Sequence, residues 1–131
     1  FSRGSCYNKL GNYEKAVESY QKAIENNPKN DEVLTNLGTA YAHLENHKKA
    51  KESYQKAIKI NPENDLIWYN LGTAYESLKD YEKAIECYQK AIEINPNEAD
   101  CWYNLGGTYR ILQNYDKAVV CLLNAIKITP E

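Results

Sequence analysis

The stretch 65-DLIWYNLGTAYESLKDYEKAIECYQKAIEINPNE-98 decides the fold. Trp68, Leu71, Gly72, Tyr75 and Leu78 fall at i, i+3, i+4, i+7 and i+10, which puts them on one face of a first helix. Lys79-Asp80 breaks the pattern, with Asp80 placed to cap a second helix. Ala84, Ile85, Tyr88, Ala91 and Ile92 form the apolar face of that second helix. Asn95-Pro96 ends it, because a residue before proline avoids the helical region. Small side chains at Gly72 and Ala84 let the two helices approach, and Ala91 leaves room for the next pair to stack.

The same beat runs outward in both directions. Pro28, Pro62, Pro96 and Pro130 stand 34 residues apart, as do Gly4, Gly38, Gly72 and Gly106, and Tyr7, Tyr41, Tyr75 and Tyr109. Ala16, Ala50, Ala84 and Ala118 keep the phase, and so do Ala23, Ala57, Ala91 and Ala125. Asn12, Asn46 and Asn114 hold the capping place of Asp80. A fixed period of this length is the signature of a stacked repeat. The phase never slips, so we expect one array over 1–131, with repeats at about 1–30, 31–64, 65–98 and 99–131.

The run Trp68-x-x-Leu71-Gly72-x-x-Tyr75, followed by Ala84, Tyr88, Ala91 and Pro96, resembles the tetratricopeptide signature in full. The fourth repeat matches from Trp102 to Pro130, with Leu122 where an aromatic is usual. The second has Leu34 in place of the tryptophan, and the first carries Arg3 where Leu37, Leu71 and Leu105 stand. The resemblance implies an all-α superhelix, a solenoid of four antiparallel helix-turn-helix hairpins. First helices would line its concave side and second helices its convex side. No hairpin buries its apolar face alone, so stability comes from the stack.

Subtracting the packing positions leaves the residues that would face a ligand in the concave groove. Asn36, Asn70 and Asn104 repeat in register, each offering a donor and an acceptor to a peptide backbone. The resemblance implies that such a ladder holds an extended peptide without reading its sequence, as in the sugar-transferring enzymes built on this array. The alternative is that these asparagines are family consensus, kept for local hydrogen bonds. Tyr69 and Tyr103 stand at equivalent places one repeat apart, and tyrosine supplies large contact area at low entropy cost. Thr39, Thr73 and Arg110 complete the candidate lining. Glu32, Glu76 and Asp100 against Arg110 and Lys9 leave it mildly acidic, which suits a neutral or basic peptide.

One family ligand can be tested on the residues. Members that hold chaperone C-terminal tails use two lysines, an arginine and two asparagines on three consecutive first helices. Aligned on the first three repeats, those places hold Phe1, Ser5, Asn36, Leu66 and Asn70. Aligned on the last three, they hold Thr35, Thr39, Asn70, Asp100 and Asn104. Neither set contains a cation, so a tail carboxylate would lose its charge-assisted hydrogen bonds. Acidic chaperone tails are therefore not an expected partner.

Other classes find little support. A net charge of −2 gives no reason to expect nucleic acid or an anionic membrane as partner. No apolar run reaches the ~18 residues of a membrane span. Cys6, Cys87, Cys101 and Cys121 form no CxxC pair and no zinc-ligand cluster with histidine. They read as free thiols, which points to an intracellular setting, cytoplasm or nucleus. Cys87 and Cys121 are repeat-equivalent, at a spacing expected to be too wide to bridge. His43 and His47 fall across a turn rather than on one helix face, so no metal site is expected there. Phosphate loops, HExxH and nucleophile elbows are absent, so we expect neither an enzyme nor a cofactor. The chain has no Met, position 1 included, and reads as a piece of a longer protein.

The second helices carry Glu18/Lys22, Glu52/Lys56 and Glu86/Lys90 as i, i+4 pairs on a solvated face. The fourth breaks that pattern with Val120 and Asn124, and Leu123 replaces Gln21, Gln55 and Gln89. Val120 and Leu123 are thus candidates for a packing or oligomer surface, with end-to-end self-association as one route. The favoured reading is a protein-interaction module that takes an extended segment or a helix into its groove. The alternatives are the targeting region of a larger enzyme, such as a glycosyltransferase, and a self-associating structural scaffold.

Overall fold

The computed structural model describes residues 3–128, with side chains from Asn12 onward. Seven α-helices and no strands occupy these residues: α1 (Arg3–Asn26), α2 (Asp31–His43), α3 (His47–Ile60), α4 (Asp65–Ser77), α5 (Tyr81–Ile94), α6 (Ala99–Ile111) and α7 (Tyr115–Ile128). They form two compact units, Phe1–Pro62 and Glu63–Glu131.

In the second unit, α4 packs on α5 and α6 on α7, each pair joined by a turn of the same build. Leu78 and Leu112 end the first helices, and Lys79 and Gln113 then take φ of 65° and 64°. These are left-handed conformations that favour glycine, held here by residues with side chains. Asp80 N–H reaches back to Tyr75 O at 2.9 Å, and Asn114 N–H to Tyr109 O at 2.8 Å. Carbonyls at the end of each first helix are satisfied as the chain reverses. Asn114 Oδ1 then accepts from Lys117 N–H at 3.4 Å and caps α7. Asp80 occupies the equivalent place on α5 but makes no side-chain cap bond, which differs from the expectation. Its carboxylate still sits at the positive end of the helix.

The core of this unit is the residue set that repeats. Ile67, Leu71, Tyr75, Ala84, Tyr88, Ala91, Cys101, Leu105, Tyr109, Ala118, Cys121 and Ala125 are all buried. Gly72 has a specific task. A Cβ there would lie 2.6 Å from Tyr88 Cε1, so the glycine makes room for a buried ring rather than for a neighbouring backbone. Asn95 ends α5, and its Nδ2 donates to Asp65 Oδ2 at 3.2 Å, tying the end of the pair to its beginning.

The first unit repeats this plan. Glu45 takes φ 61° between α2 and α3, and Asn46 N–H reaches Tyr41 O at 2.8 Å. Asn46 Oδ1 caps α3 at Lys49 N–H, 3.3 Å, and Asn30 caps α2 at Val33 N–H, 3.1 Å. A Cβ on Gly38 would lie 2.6 Å from Tyr54 Cε1. Asn61 Nδ2 donates to Asp31 Oδ2 at 3.0 Å.

The first repeat departs from the expected hairpin. Its two helices are one continuous α1, so there are seven helices where four hairpins would have eight. Asn12, expected as a cap, lies inside the helix. Gly11 stands where Glu45, Lys79 and Gln113 turn the chain, and the turn is not made. Arg3 replaces the leucine that anchors each later first helix, so this segment carries less apolar surface to reward folding back. Continuing an existing helix instead gains one backbone hydrogen bond per residue.

Candidate functional site

The first helices of the second unit bring a polar cluster together across α4 and α6. Asn104 Nδ2 donates to the Tyr69 hydroxyl at 2.9 Å, so two of the expected ligand-facing residues contact each other. The Tyr69 ring lies 6.0 Å from that of Tyr88, tilted by 46°. Burial, followed by the nearby Asp100 carboxylate, pushes the Tyr69 hydroxyl above the ordinary phenol range. It stays a neutral hydrogen-bonding group. Tyr103 is 39% exposed and offers its ring beside this cluster's helix.

Glu76, expected only as part of the groove's charge, is the hub of this cluster. Its Oε1 accepts from the Tyr88 hydroxyl at 2.8 Å and from Thr108 Oγ1 at 3.2 Å. The Thr108 hydroxyl also lies 2.8 Å from Asn104 O, so its one proton is shared between two acceptors. Thr108 is fully buried, and this carboxylate links α4, α5 and α6. A signal was present in the sequence: Glu76 stands where the second and fourth repeats have Ala42 and Arg110. Burial, then the Glu76 charge, raises the Tyr88 hydroxyl far above its ordinary value.

The remaining candidates divide by unit. Asn36 lies exposed on α2 in the first unit, whereas Asn70 on α4 is half-buried in the second. Neither carboxamide makes a hydrogen bond among the described residues. The two threonines are engaged within their own units. Thr39 Oγ1 sits 2.9 Å from the Tyr54 hydroxyl and donates to Thr35 O at 3.1 Å, while Thr73 Oγ1 donates to Asn70 O at 2.7 Å. Arg110 is exposed in the last turn of α6, where a cation suits the helix dipole. His43 stacks on Tyr13 with ring centroids 4.3 Å apart, a packing role for that residue.

A second feature lies on the other side of each unit. In the second unit, Ile92, Trp102, Leu105, Tyr109 and Val120 line a mostly apolar cavity of about 430 Å³, with Gln89, Glu93 and Lys117 at its edge. Lys117 Nζ lies 5.5 Å from the Tyr109 ring centroid. Its counterpart in the first unit holds about 260 Å³ and has Glu52 where this one has Val120. Val120 and Leu123 are 56% and 55% exposed. They are joined on α7 by exposed Tyr115, Val119, Leu122 and Ile126. Cys87, Cys101 and Cys121 are buried free thiols. None of the described helices is long and apolar enough to cross a membrane.

Known proteins match both the sequence and this architecture. The tetratricopeptide repeat family model matches residues 32–64 and 66–98, and two further models of the repeat match 4–44 and 87–120. No curated protein matches the chain. Among solved structures, a crystal structure of MamA aligns with a TM-score of 0.90 at 29% identity, covering 99% of this chain and 76% of that one. A second crystal structure of MamA protein gives 0.88 at 31% identity, over 92% and 66%. MamA 41-end from Desulfovibrio magneticus RS-1 gives 0.86 at 24% identity, over 91% and 67%, a likeness of fold alone. Leu71, Tyr75, Ala84, Tyr88 and Ala91 of the signature are buried and the family models match most of the sequence, so this chain belongs to the tetratricopeptide repeat family.

Proposed function

We propose that this protein binds an extended segment or a helix of a partner protein on the face presented by its first helices. The repeat family and its helical fold support a protein-interaction or scaffold module. The observation that carries the finer reading is the state of the asparagines. Asn36 and Asn70 keep unengaged carboxamides, and Asn104 spends one donor on Tyr69 and keeps its carbonyl oxygen for a ligand. The bond to Asn104 also holds the Tyr69 ring in place before any partner arrives, which lowers the entropy cost of using it as an anchor. Tyr103 adds a second exposed ring. With Glu76 and Asp100 nearby, a neutral or basic segment is favoured over an acidic one.

Selection of binders from a displayed random peptide library, followed by calorimetry, tests this reading. Each of Asn36→Ala, Asn70→Ala and Asn104→Ala is expected to weaken a selected peptide by about 0.5–1.5 kcal/mol. A triple variant with unchanged affinity would show that the asparagines are structural only. An acidic chaperone-tail peptide is expected not to bind, because neither frame of the carboxylate clamp holds a cation. We place the protein in the cytoplasm or nucleus on the strength of its free thiols. The reading of a self-associating scaffold is favoured by one specific observation, the exposed apolar face of α7.

A further inference from the structure

The outer side of α7 carries a line of residues with its own internal symmetry. Asp116, Val120, Leu123 and Lys127 stand at i, i+4, i+7 and i+11, which aligns them along the helix. All four are exposed, and neither charge is ion-paired among the described residues. Most of this line lies off the side on which one repeat stacks upon another. In α5, the equivalents of Val119 and Ile126 are Ile85 and Ile92, which are half-buried, whereas the equivalents of Val120 and Leu123 are Glu86 and Gln89, which are exposed. Gln89 donates to the Tyr109 hydroxyl of the next repeat at 3.1 Å and still stays exposed, so a further repeat stacked on α7 in a longer chain would touch only the edge of this line, at Leu123.

We propose that the line is a self-association surface, on which α7 packs antiparallel against α7 of a second copy of this chain. The charges name the occupant. A two-fold axis beside the helix, perpendicular to it and level with the Cys121–Leu122 bond, sets Val120 opposite the second copy's Leu123. The same axis sets Asp116 opposite the second copy's Lys127. Both apolar contacts and both ion pairs thus come into register from a single operator, as an isologous interface requires. The other second helices cannot do this. At the matching places α1 has Glu14 and Glu25, α3 has Lys48 and Lys59, and α5 has Glu82 and Glu93. Each would oppose like charges in the same arrangement, and each carries Glu and Gln in its centre. Only α7 combines an apolar centre with ends of opposite sign.

The cavity beside Val120 supplies a seat. The second copy's Leu123, facing Val120, stands at the mouth of the pocket lined by Trp102, Ile92 and Leu105. The matching pocket of the first unit is smaller and presents Glu52 in place of Val120. The contact spans about 16 Å of helix at 1.5 Å per residue. That is the low end of specific interface sizes, so association in the micromolar range is expected rather than an obligate dimer.

Sedimentation equilibrium of the full chain tests the proposal. The protein is expected to dimerise with rising concentration. Val120→Glu with Leu123→Gln, which copies the residues of the other repeats, is expected to be monomeric and of unchanged thermal stability. Asp116→Lys and Lys127→Glu are each expected to weaken the dimer several-fold, up to about tenfold, because two exposed ion pairs become two repulsions. An equimolar mixture of these two charge variants restores complementarity at both ends and is expected to recover a heterodimer of wild-type strength. A monomer at millimolar concentration overturns the proposal. So does a dimer that survives Val120→Glu with Leu123→Gln but is lost with Val119→Glu and Ile126→Glu, which would place the contact on the stacking side. A mixture no stronger than its components rejects the antiparallel register.

Discussion

The α4–α5 and α6–α7 hairpins share one backbone plan and differ in what their second helices do. In the first of them, Tyr88 is fully buried over Gly72 and its hydroxyl meets Glu76. In the second, Leu122 holds the equivalent place and is 36% exposed, and a Cβ on Gly106 would meet Cys121 Cβ at 3.2 Å rather than a ring. The outer face of α5 is charged and that of α7 is apolar. The lesson is that a small set of small and aromatic positions holds the hairpin. The rest of the surface is free to change, and on α7 it has changed from charged to apolar.

The sharpest way to break this comparison is to truncate the two equivalent side chains. Tyr88→Ala is expected to cost about 3–5 kcal/mol in denaturant unfolding, since it empties a buried site and removes one of the two hydrogen bonds to the Glu76 carboxylate. Leu122→Ala should cost only about 1 kcal/mol, because the side chain is already partly in solvent. Equal losses would mean that the two hairpins are held in the same way. The glycines repeat the contrast at smaller scale. Gly72→Ala should destabilise by about 2 kcal/mol through the displaced ring. Gly106→Ala should be close to neutral, as its tight contacts offset the roughly 1 kcal/mol that alanine gains in a helix.

High pH tests a buried thiol in each hairpin. Burial, then the Glu86 charge, pushes the Cys87 thiol up to about 12, from an ordinary value of 9.0. Burial, then Glu98, does the same to Cys101. In this window the folded chain holds protons that the unfolded chain has released. The contribution to stability is therefore complete below about pH 9 and is lost as pH rises toward 12. Cys87→Ala should flatten that slope in urea titrations between pH 8 and pH 11, and an unchanged slope would assign it elsewhere. The smallest expected effects are gains. Gly107 has no neighbour within 4 Å of an added Cβ, so Gly107→Ala should raise stability by about 1 kcal/mol. Lys79→Gly, at a φ of 65°, should add about 0.5 kcal/mol as relief of the left-handed strain outweighs glycine's extra chain entropy.

Much of the fold was legible because the repeat is redundant. The positions of Pro62, Pro96, Gly38, Gly72, Tyr41 and Tyr75 state the hairpin more than once, and the helices end where Asn61 and Asn95 precede proline. The same redundancy hides the departure of the first repeat. Its phase is intact and Gly11 suits a turn, yet α1 runs through, since phase reports which residues align and not whether their packing suffices to bend the chain. At the candidate site, exposure of Asn36 and Tyr103 followed from helix faces. The engagement of Thr39 with Tyr54 did not, because it joins residues from two helices whose spacing no periodicity encodes.

The sequence by itself determined the period, the hairpins of residues 31–128, the caps at Asn46 and Asn114 and the family, because each rests on local propensity repeated at fixed intervals. It also disclosed that Val120 and Leu123 break the outer pattern. Only the tertiary structure decided which polar groups meet. Glu76 joins Tyr88 and Thr108, Asn104 joins Tyr69, and Gly72 faces a ring. Those contacts depend on the angle and distance at which helices cross. That geometry comes from the close packing of whole side chains, so it is a property of the assembled unit rather than of any one repeat.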